Sequence, residues 1–374
     1  MIPFNKPFQS GKEINYLQQV LAVNKLAGNG VFTEQVQAYF EQHYNLKKAF
    51  LTTSCTDALE MAALLIEASP EDEIIMPSYT FVSTALAFDR QGAKVIFADV
   101  KKEFPNLSVA AVAEKITPRT KAIVVVHYAG VPVDMDGIMA LAKKHNLYVI
   151  EDCAHAIGVK QEAGYLGSIG HLSTFSFHET KNISSGEGGI LGINDPIFVK
   201  RAEMIWEKGT NRAAFFRGET TAYNWNDTGS SFMPAEFIAA VLLAQLPEIK
   251  KVNQKRLDLW NYYYQKLEVL QKENKIKLPQ LPQNTPHNAH IFYLLCSSAN
   301  ERNDLIAFLK EKKIHSVFHY LGLHTSPYYL KNNPQQSLPN TEYFASCLLR
   351  LPLYYGLSQA EQDQVIEAIF EFYE

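Results

Sequence analysis

Cysteine is scarce in this chain of 374 residues. The four cysteines, Cys55, Cys153, Cys296 and Cys347, include no CxxC pair and show no metal-ligand spacing. This scarcity excludes a disulfide-stapled scaffold and a cysteine-rich zinc site, so we expect reduced thiols, no metal and a cytoplasmic protein. The first residues, MIPFNKPFQSGKEI, also lack the basic segment followed by an apolar one that marks an export signal.

The chain also lacks a strong charge of either sign and a long apolar run. Its 35 Lys and Arg residues nearly balance 39 Asp and Glu residues, giving a formal net charge of -4. Nucleic-acid-binding proteins present a basic face, and a membrane-spanning helix needs roughly 18 apolar residues in succession. We therefore expect no nucleic-acid partner and no membrane segment. Small anionic ligands stay open, because a local site need not follow the net charge.

The length predicts two domains, because a single hydrophobic core stops growing near ~250–300 residues. From about residue 48, short β-rich runs alternate with helical segments, and runs such as AIVVV (122–126) contain no polar residue. This pattern is typical of an α/β domain with a mostly parallel sheet that is buried on both faces. A long helical segment, residues 235–271, is predicted to lead into a smaller α+β domain. We place the large domain at 1–250, with an N-terminal arm of about 1–35, and the small domain at 251–374.

The first polar cluster lies directly after a predicted strand, at the start of a predicted helix. It is the run Thr53-Ser54-Cys55-Thr56. Hydroxyls and free backbone N–H groups at the beginning of a helix form a natural phosphate site. The alternative is that Ser54 or Thr56 simply caps the helix.

The second cluster, Glu151-Asp152-Cys153-Ala154-His155, ends the apolar run YVI. A carboxylate at the end of a buried strand is costly unless it has a partner, and a pyridinium nitrogen would suit Asp152. The alternative for Asp152 is capping of the next turn. His155 could equally be a hydrogen-bonded histidine of the core.

The third cluster is FSFHETKN, residues 175–182, followed by SSGEGG. The Lys181 amine becomes an efficient nucleophile for a Schiff base when burial or neighbouring cations depress its pKa. The glycines after it would let the backbone pass close to a cofactor. The GEGG run lacks both the strand–GxGxxG–helix setting of a dinucleotide site and a Walker lysine.

With these clusters, further motifs make the chain resemble a known family. These motifs are GNG (28–30), PSYTFVST (77–84), HYAGVPVDMD (127–136) and HY (319–320). They resemble the DegT/DnrJ/EryC/StrS family of sugar aminotransferases, which are fold type I enzymes dependent on pyridoxal 5′-phosphate (PLP). The resemblance covers nearly the whole chain. It implies a large, mostly parallel sheet flanked by helices, a smaller α+β C-terminal domain, and a homodimer with its two active sites at the subunit interface.

The resemblance also implies the reaction. Glutamate would donate an amino group to a nucleotide-linked keto-sugar in a ping-pong sequence. The motifs are most similar to those of members that act on a dTDP-linked 4-keto-6-deoxyhexose for polysaccharide biosynthesis. A 3-keto or UDP-linked sugar is the first alternative. A PLP-dependent sugar dehydratase would carry histidine in place of Lys181, and the last alternative is a non-catalytic binding protein on the same fold.

Residue roles follow from the resemblance by position. Lys181 would form the Schiff base with PLP, Asp152 would pair with the pyridinium nitrogen, and His155 would lie near the phenolic oxygen, where many members have Gln. Phe81 would stack on the cofactor ring. The residues implied in phosphate binding are Ser54, Cys55, Thr56, Ser176 and, from the neighbouring subunit, Ser231, where many members have Asn.

The resemblance and the local composition together suggest the substrate residues. These are Asn29, Arg212, Arg217, His319 and Tyr320. The stretch 211–231 is rich in Arg, Asn, Ser and aromatic residues. We expect it to cross the subunit interface, with its arginines on the sugar-nucleotide diphosphate, because a planar guanidinium suits phosphate oxygens. An ordinary polar surface loop is the alternative for this stretch, and a capping histidine at a strand end is the alternative for His319.

Overall fold

The computed structural model describes residues 1–282 and 284–374, and its largest feature is a seven-stranded sheet. The strands of the first part of the chain are β1 (Lys48–Thr52), β2 (Glu73–Pro77), β3 (Lys94–Ala98), β4 (Thr120–Val126), β5 (Tyr148–Asp152), β6 (Lys160–Gln161), β7 (Gly164–Tyr165), β8 (Leu172–Ser176) and β9 (Gly189–Ile193). The large sheet has the order β1-β9-β8-β5-β4-β2-β3, and β6 and β7 form a separate hairpin. Only β9 runs against its neighbours in the large sheet, so the predicted mostly parallel sheet is confirmed.

Helices cover both faces of this sheet. They are α1 (Glu13–Val23), α2 (Val31–His43), α3 (Cys55–Leu65), α4 (Val82–Asp89), α5 (Val109–Ala113), α6 (Met135–His145), α7 (Val199–Trp206), α8 (Arg212–Phe216) and α9 (Glu236–Gln245). In β4, Ala122 and Val124 pack in the core that contains α3, whereas Ile123 and Val125 pack in the core that contains α6. Because both faces are buried, this strand reads as an uninterrupted apolar run.

The rest of the chain builds a smaller antiparallel sheet with its own helices. Its elements are α10 (Ile249–Lys272), β10 (Tyr293–Leu295), α11 (Ala299–Glu311), β11 (Val317–Phe318), α12 (Pro327–Leu330), α13 (Pro339–Cys347), β12 (Leu348–Arg350) and α14 (Gln359–Tyr373). The strand order is β10-β12-β11, which puts β12 in the centre. This mixture of a small sheet and helices agrees with the predicted α+β architecture.

The helical segment predicted over 235–271 is interrupted. Helix α9 ends at Gln245, a 3-10 turn spans Leu246–Glu248, and α10 begins at Ile249. Pro247 lies in this turn, where it has no N–H to donate and cannot continue the preceding helix. Helix α10 contributes Ile249 and Val252 to a core of the large sheet and its later apolar residues to a separate C-terminal core. The division at residue 250 stays a prediction.

Two features of the structure concern the predicted reduced thiols and the predicted lack of a membrane segment. All four cysteines are free thiols. Among residues 1–282 and 284–374, no helix combines the length and the apolar character that crossing a bilayer would require.

The Glu236 carboxylate fixes the N-terminal part of the chain on the large sheet. It is buried at the start of α9 and accepts backbone N–H groups from Gly30 at 3.0 Å, Phe32 at 2.9 Å and Thr33 at 3.3 Å, as well as the Thr33 hydroxyl. These N–H groups belong to the beginning of α2, where a helix has no internal acceptors for them. One carboxylate therefore caps α2 across more than two hundred residues of sequence.

We predict that Glu236→Ala lowers the free energy of unfolding by about 2–4 kcal/mol, because it leaves several buried donors without an acceptor. Urea unfolding followed by circular dichroism measures the loss. Gln35→Ala, on the exposed side of α2, is the matched control and should change stability by less than about 0.5 kcal/mol. Equal stability of the two variants would contradict the capping role.

Candidate active site

A cavity of about 890 Å³ opens at the carboxyl ends of the parallel strands, which is where ligands bind in open α/β sheets. Asp152 is the last residue of β5 and Ser176 the last of β8, and the loop after β8 carries Lys181. The C-terminal part of the chain supplies the opposite wall. The predicted site residues that line this cavity are Ser54, Cys55, Thr56, Phe81, Asp152, His155, Ser176, Lys181, His319 and Tyr320.

The loop that carries Lys181 is held from both parts of the chain. The side chain of its neighbour Asn182 is buried and donates to the Asn253 side chain at 2.9 Å and to the Asn288 carbonyl at 3.1 Å. The Asn182 oxygen pairs with Nδ1 of His290 at 2.8 Å. These three bonds fix the backbone next to Lys181, so the lysine enters the cavity from a rigid support.

Lys181 has an amine suited to nucleophilic chemistry. Burial disfavours the charged ammonium and lowers its pKa to about 8, and the positive charge of Arg350 acts in the same direction. Cys55 and Asp152 oppose this effect by favouring the charged form. A much larger share of the amine is therefore neutral near physiological pH than for an exposed lysine.

Asp152 offers a buried carboxylate. One of its oxygens accepts the Ala154 N–H at 3.1 Å, so the predicted turn-capping contact exists, and the other accepts the Thr84 hydroxyl at 2.8 Å. Burial raises the pKa of Asp152, whereas these two hydrogen bonds lower it. Both of these donors are neutral, so they satisfy the oxygen lone pairs without neutralising the charge. A cationic ring nitrogen in the cavity would supply the missing partner.

The run 53–56 combines capping with a free helix end. Ser54 is the N-cap of α3, and its Oγ accepts the Asp57 N–H at 3.1 Å, so the capping interpretation holds. The first N–H groups of α3 still have no partner within the helix, and this loop lines the cavity. The two interpretations of this run are therefore compatible, because the Ser54 hydroxyl accepts from the helix and keeps its own proton to donate.

Gly189 allows this loop to lie where it does. A Cβ atom at Gly189 would collide with the carbonyl carbon and oxygen of Ser54 and with the nitrogen of Cys55. Part of the GEGG run is thus explained by contact with the Ser54–Cys55 backbone, whereas the sequence suggested a close approach to a cofactor. Gly186 and Gly188 adopt positive φ angles of 84° and 153°, which other residues rarely adopt.

His155 belongs to a stack of neutral imidazole rings. Its ring lies 4.3 Å from that of His290, with an angle of 28° between the planes. Nδ1 of His155 accepts the Ala129 N–H at 3.3 Å, and its Nε2 lies 3.3 Å from the Tyr320 hydroxyl. Burial lowers the pKa of His155 well below its usual value, and the charges of Lys181 and Arg350 lower it further. The ring is therefore neutral, with its proton on Nε2.

His319 and Tyr320 complete this wall. Their rings stack with centroids 3.7 Å apart, and Nδ1 of His319 lies 2.6 Å from the Tyr128 hydroxyl. Burial also lowers the pKa of His319 well below its usual value. His319 thus lines the cavity directly after the end of β11, and its Nδ1 is already used in the hydrogen bond with Tyr128.

Four predicted residues lie outside this cavity. Arg217 pairs at the surface with Glu203 at 2.6 Å and Glu219 at 2.7 Å. Arg212 lies 4.9 Å from the centre of the Phe216 ring and pairs with Glu207 at 3.5 Å. The other two are Asn29, whose carbonyl accepts Lys25 at 2.6 Å, and the exposed Ser231. Because Arg212, Arg217 and Ser231 were predicted to act across a subunit interface, a single chain does not test them, and these roles stay predictions.

The cavity also contains residues that had no assigned role. Three of them are Thr84, which bonds Asp152, His290, which stacks on His155, and Arg350, whose charge acts on Lys181. Thr84 follows Thr80 by four residues, and the two hydroxyls pair at 2.9 Å. Two hydroxyls at this spacing around a predicted helix start could have been noticed in the sequence. His290 and Arg350 have no such signal, because each meets the site only through the tertiary fold.

A second buried cluster has the composition of a metal site. The ligand atoms of His127, Glu151 and Cys153 lie within 4.8 Å of one another. However, Glu151 already accepts three N–H groups of the loop 167–170 at 2.6–2.9 Å and lies 3.1 Å from Nε2 of His127. Nδ1 of His127 accepts the Val133 N–H at 3.1 Å, which leaves the proton on Nε2 for Glu151. The hydrogen-bonding groups of His127 and Glu151 are therefore already used within the protein, and we interpret the cluster as structural and not as a metal site.

We predict that the amine of Lys181 titrates near pH 8 in the cofactor-free protein, because burial favours its neutral form. Trace acetylation with acetic anhydride, read by mass spectrometry, should show its labelling rate rising with pH and levelling off above about pH 8. A short model peptide with one lysine, labelled in the same reaction, is the control, and its labelling should keep rising towards pH ~10. Parallel curves for Lys181 and the peptide would contradict the shift.

Solved structures with the same architecture are known. An aminotransferase, TlmJ from Streptoalloteichus hindustanus, is 27% identical, with a TM-score of 0.92 over 100% of this chain and 99% of that one. DesV from S. venezuelae is 28% identical, with a TM-score of 0.90 over 100% and 98% of the two chains. A putative sugar aminotransferase from Streptococcus pneumoniae, solved in PMP and PLP forms, shares the fold at 23% identity, with TM-scores of 0.91 and 0.90. It covers 99–100% of this chain and 98–99% of its own.

A family model matches nearly the whole chain. The model of the DegT/DnrJ/EryC1/StrS aminotransferase family covers residues 8–370. The members of this family depend on PLP, and the structural neighbours include PLP-bound forms. The predicted family, fold type, enzyme class and cofactor are thereby confirmed: this chain belongs to the DegT/DnrJ/EryC1/StrS family of PLP-dependent sugar aminotransferases.

Proposed function

We propose that this enzyme transfers the amino group of glutamate to carbon 4 of dTDP-4-keto-6-deoxyglucose, giving dTDP-4-amino-4,6-dideoxygalactose for polysaccharide biosynthesis. The observation that carries the transaminase chemistry is the presence of Lys181, with its lowered pKa, and the buried Asp152 in one cavity. At about 890 Å³ the cavity is of the size that accommodates a cofactor together with a hexose. The choice of sugar rests on the sequence motifs, which are most similar to those of dTDP-4-amino-4,6-dideoxygalactose transaminase.

The residues of the cavity fit PLP, which when bound supplies an electron sink for the carbon being deprotonated. Lys181 would hold the cofactor through its neutral amine, and its Nζ would take a proton from the substrate carbon and return it. Asp152 would keep the ring nitrogen protonated, because a buried carboxylate stabilises a positive charge beside it. Phe81 would cover one ring face from the N-cap of α4, where its side chain is 57% exposed to the cavity and solvent.

His155 would donate a hydrogen bond to the phenolic oxygen of PLP. Its Nδ1 accepts from the backbone, so its proton is on Nε2, on the side of Tyr320. A neutral donor orients that oxygen without adding a positive charge that would compete with the protonated ring nitrogen. This accounts physically for a histidine at a position where many members of the family have Gln.

The phosphate group of PLP would bind at the beginning of α3. Ser54, Cys55, Thr56 and Ser176 line the adjoining part of the cavity and offer hydroxyl and backbone N–H donors. The partial positive charge of the helix N-terminus favours the anion. Ser231 of a neighbouring subunit would add a hydroxyl to this set.

We also propose a cytoplasmic homodimer in which the stretch 211–231 reaches the partner's site. Three aromatic side chains of this stretch are exposed on the single chain: Phe216 at 68%, Tyr223 at 53% and Trp225 at 83%. Exposed aromatic side chains beside arginines are typical of a surface that binds a partner or a nucleotide. Arg212 and Arg217 would hold the diphosphate of the sugar nucleotide, and Asn29, His319 and Tyr320 would contact the hexose or the amino donor.

The decisive test of the reaction is incubation with PLP, glutamate and dTDP-4-keto-6-deoxyglucose, followed by NMR of the product. We expect an amine at carbon 4 with the galactose configuration. Lys181→Ala should lower turnover by at least 10²–10⁴-fold, because it removes the proton carrier, and Asp152→Asn should weaken PLP binding and slow the reaction. A product formed only from a 3-keto or UDP-linked sugar would overturn the substrate assignment, and turnover by Lys181→Ala within tenfold of wild type would overturn the mechanism.

Arg217→Ala tests the shared site. We expect it to raise the KM for the nucleotide sugar about tenfold, the effect of losing ~1.4 kcal/mol of phosphate binding, and to leave the glutamate half-reaction unchanged. Arg90→Ala, which removes another exposed arginine paired with a glutamate, is the matched control and should change neither. Light scattering should give a dimer at micromolar concentration, and a fully active monomer would refute the shared site.

A further inference from the structure

His290 is held in the wall of the active-site cavity by its own segment of the chain. It lies three residues before β10, is 9% exposed and lines the same cavity as Lys181. Its carbonyl accepts Nη2 of Arg256 at 2.8 Å, and its N–H donates to the Asn288 side chain at 3.1 Å. The Asn288 amide in turn donates to the carbonyl of His155 at 2.9 Å. The backbone that carries this imidazole is therefore fixed from several sides.

The tautomer of His290 follows from the orientation of the Asn182 amide. A backbone carbonyl can only accept a hydrogen bond, so the Asn182 atom that lies 3.1 Å from the Asn288 carbonyl is its nitrogen. The amide oxygen of Asn182 then faces Nδ1 of His290 at 2.8 Å, and this oxygen needs a donor. The proton of a neutral His290 is therefore on Nδ1, and its Nε2 has a free lone pair.

The ring of His290 is neutral. Burial lowers the pKa of His290 well below its usual value, and the neighbouring His155 and Lys181 lower it further. The ring stacks on that of His155 with centroids 4.3 Å apart. Nδ1 of His155 accepts a backbone N–H, so its Nε2 is a donor, whereas Nε2 of His290 is an acceptor. The stacked pair therefore places one donor and one acceptor in the wall of the cavity.

The acceptor of His290 is available to a ligand. Within residues 1–282 and 284–374 the ring is hydrogen-bonded through Nδ1, and its Nε2 has no donor from the protein. A polar atom in a poorly hydrated site is stable only with a partner, and here the partner must bring a proton. The phosphate and carboxylate groups of the substrates are themselves acceptors, and the amine of the amino acid is engaged with the cofactor. The hydroxyls of the hexose remain.

The position of His290 selects one of these hydroxyls. Its ring is bonded to the side chain of Asn182, the residue after Lys181, so it lies near the amine that acts at carbon 4 of the sugar. In the proposed 6-deoxyhexose, carbon 5 carries a methyl group and the ring oxygen, neither of which has a proton to donate. Carbon 3 therefore carries the one hydroxyl next to carbon 4.

We propose that Nε2 of His290 accepts a hydrogen bond from the hydroxyl on carbon 3 of the keto-sugar, which makes His290 a specificity-determining residue. This inference rests on the proposed function for the identity of the sugar. Asn182 is a positioning residue for the contact, because its amide oxygen keeps the proton on the other ring nitrogen. A 3-keto sugar has no proton at this oxygen and would leave Nε2 unpaired, so the contact favours the 4-keto substrate over that alternative.

The contact is measured with ligands that bind without reacting. Protein loaded with pyridoxamine 5′-phosphate is titrated calorimetrically with dTDP-4-amino-4,6-dideoxygalactose and with its 3-deoxy analogue. No amino group can be transferred, because the cofactor and the sugar both carry one already. We expect the wild type to bind the hydroxyl-bearing sugar about five- to tenfold more tightly, the effect of one hydrogen bond between neutral groups. In His290→Phe, which keeps a ring to stack on His155, the two affinities should be nearly equal.

The comparison of two ligands separates recognition from a structural effect. If His290→Phe only disturbed the wall through the lost bond to Asn182, both affinities would fall and their ratio would stay that of the wild type. That outcome would overturn the proposal, and so would equal affinities in the wild type, which require no variant. His287→Phe is the matched control, since it removes an imidazole of the same segment that packs on Trp260 and does not line the cavity.

A second measurement tests the tautomer independently of the sugar. In protein labelled with nitrogen-15 histidine, the ring of His290 is identified by the loss of its signals in His290→Phe. We expect a protonated Nδ1 and an unprotonated Nε2 near neutral pH. A protonated Nε2 would overturn this inference whatever sugar the enzyme uses. Failure of the wild type to bind either hexose, with the expected tautomer present, would instead overturn the sugar assignment and the hydroxyl contact with it.

Discussion

The buried amide of Asn182 is the contact on which the site depends. It connects the loop after β8, the helix α10 through Asn253, and the segment leading into β10 through Asn288 and His290. Lys181 is the next residue in the chain, so the same hydrogen bonds position the reactive amine between the large sheet and the C-terminal part of the chain. A short polar side chain in a buried position has little freedom, and three satisfied bonds leave it one arrangement. The catalytic loop and the opposite wall of the cavity are thus aligned by the same group.

The electrostatics of the cavity follow from burial more than from the number of charges. The cations that line the cavity are Lys181, Arg256 and Arg350, and the carboxylates are Asp152 and Glu187. His155, His290 and His319 stay neutral because burial and the nearby cations lower their pKa values. Neutral imidazoles can donate and accept hydrogen bonds without adding repulsion to a site that already contains three cations. The wall therefore supplies polar contacts without adding further charge.

The sequence predicted the large sheet, and it predicted polar clusters at the strand ends that line one cavity, because both depend on local signals. Apolar runs such as that of β4 report burial on both faces, and Asp152 and Lys181 follow strands whose carboxyl ends meet at one edge. The interruption at Leu246–Glu248 was missed although Pro247 was visible, because the apolar pattern continues on both sides of it. Strand β12 is only three residues long, which is too short for an alternation of apolar and polar residues to predict it. His290 and Arg350 reach the cavity only through tertiary packing, which local composition does not encode.

The reversed direction of β9 has a consequence for how the enzyme meets its cofactor. Because β8 and β9 are antiparallel neighbours, the chain between Ser176 and Gly189 turns back at the same edge of the sheet, and these two residues are paired. A parallel successor would have taken the chain across the sheet and away from this edge. The segment that carries Lys181 is instead a short closed loop, so most of its conformational entropy is already lost when the protein folds. Cofactor capture then needs little further ordering, which is the thermodynamic advantage of a preorganised receptor.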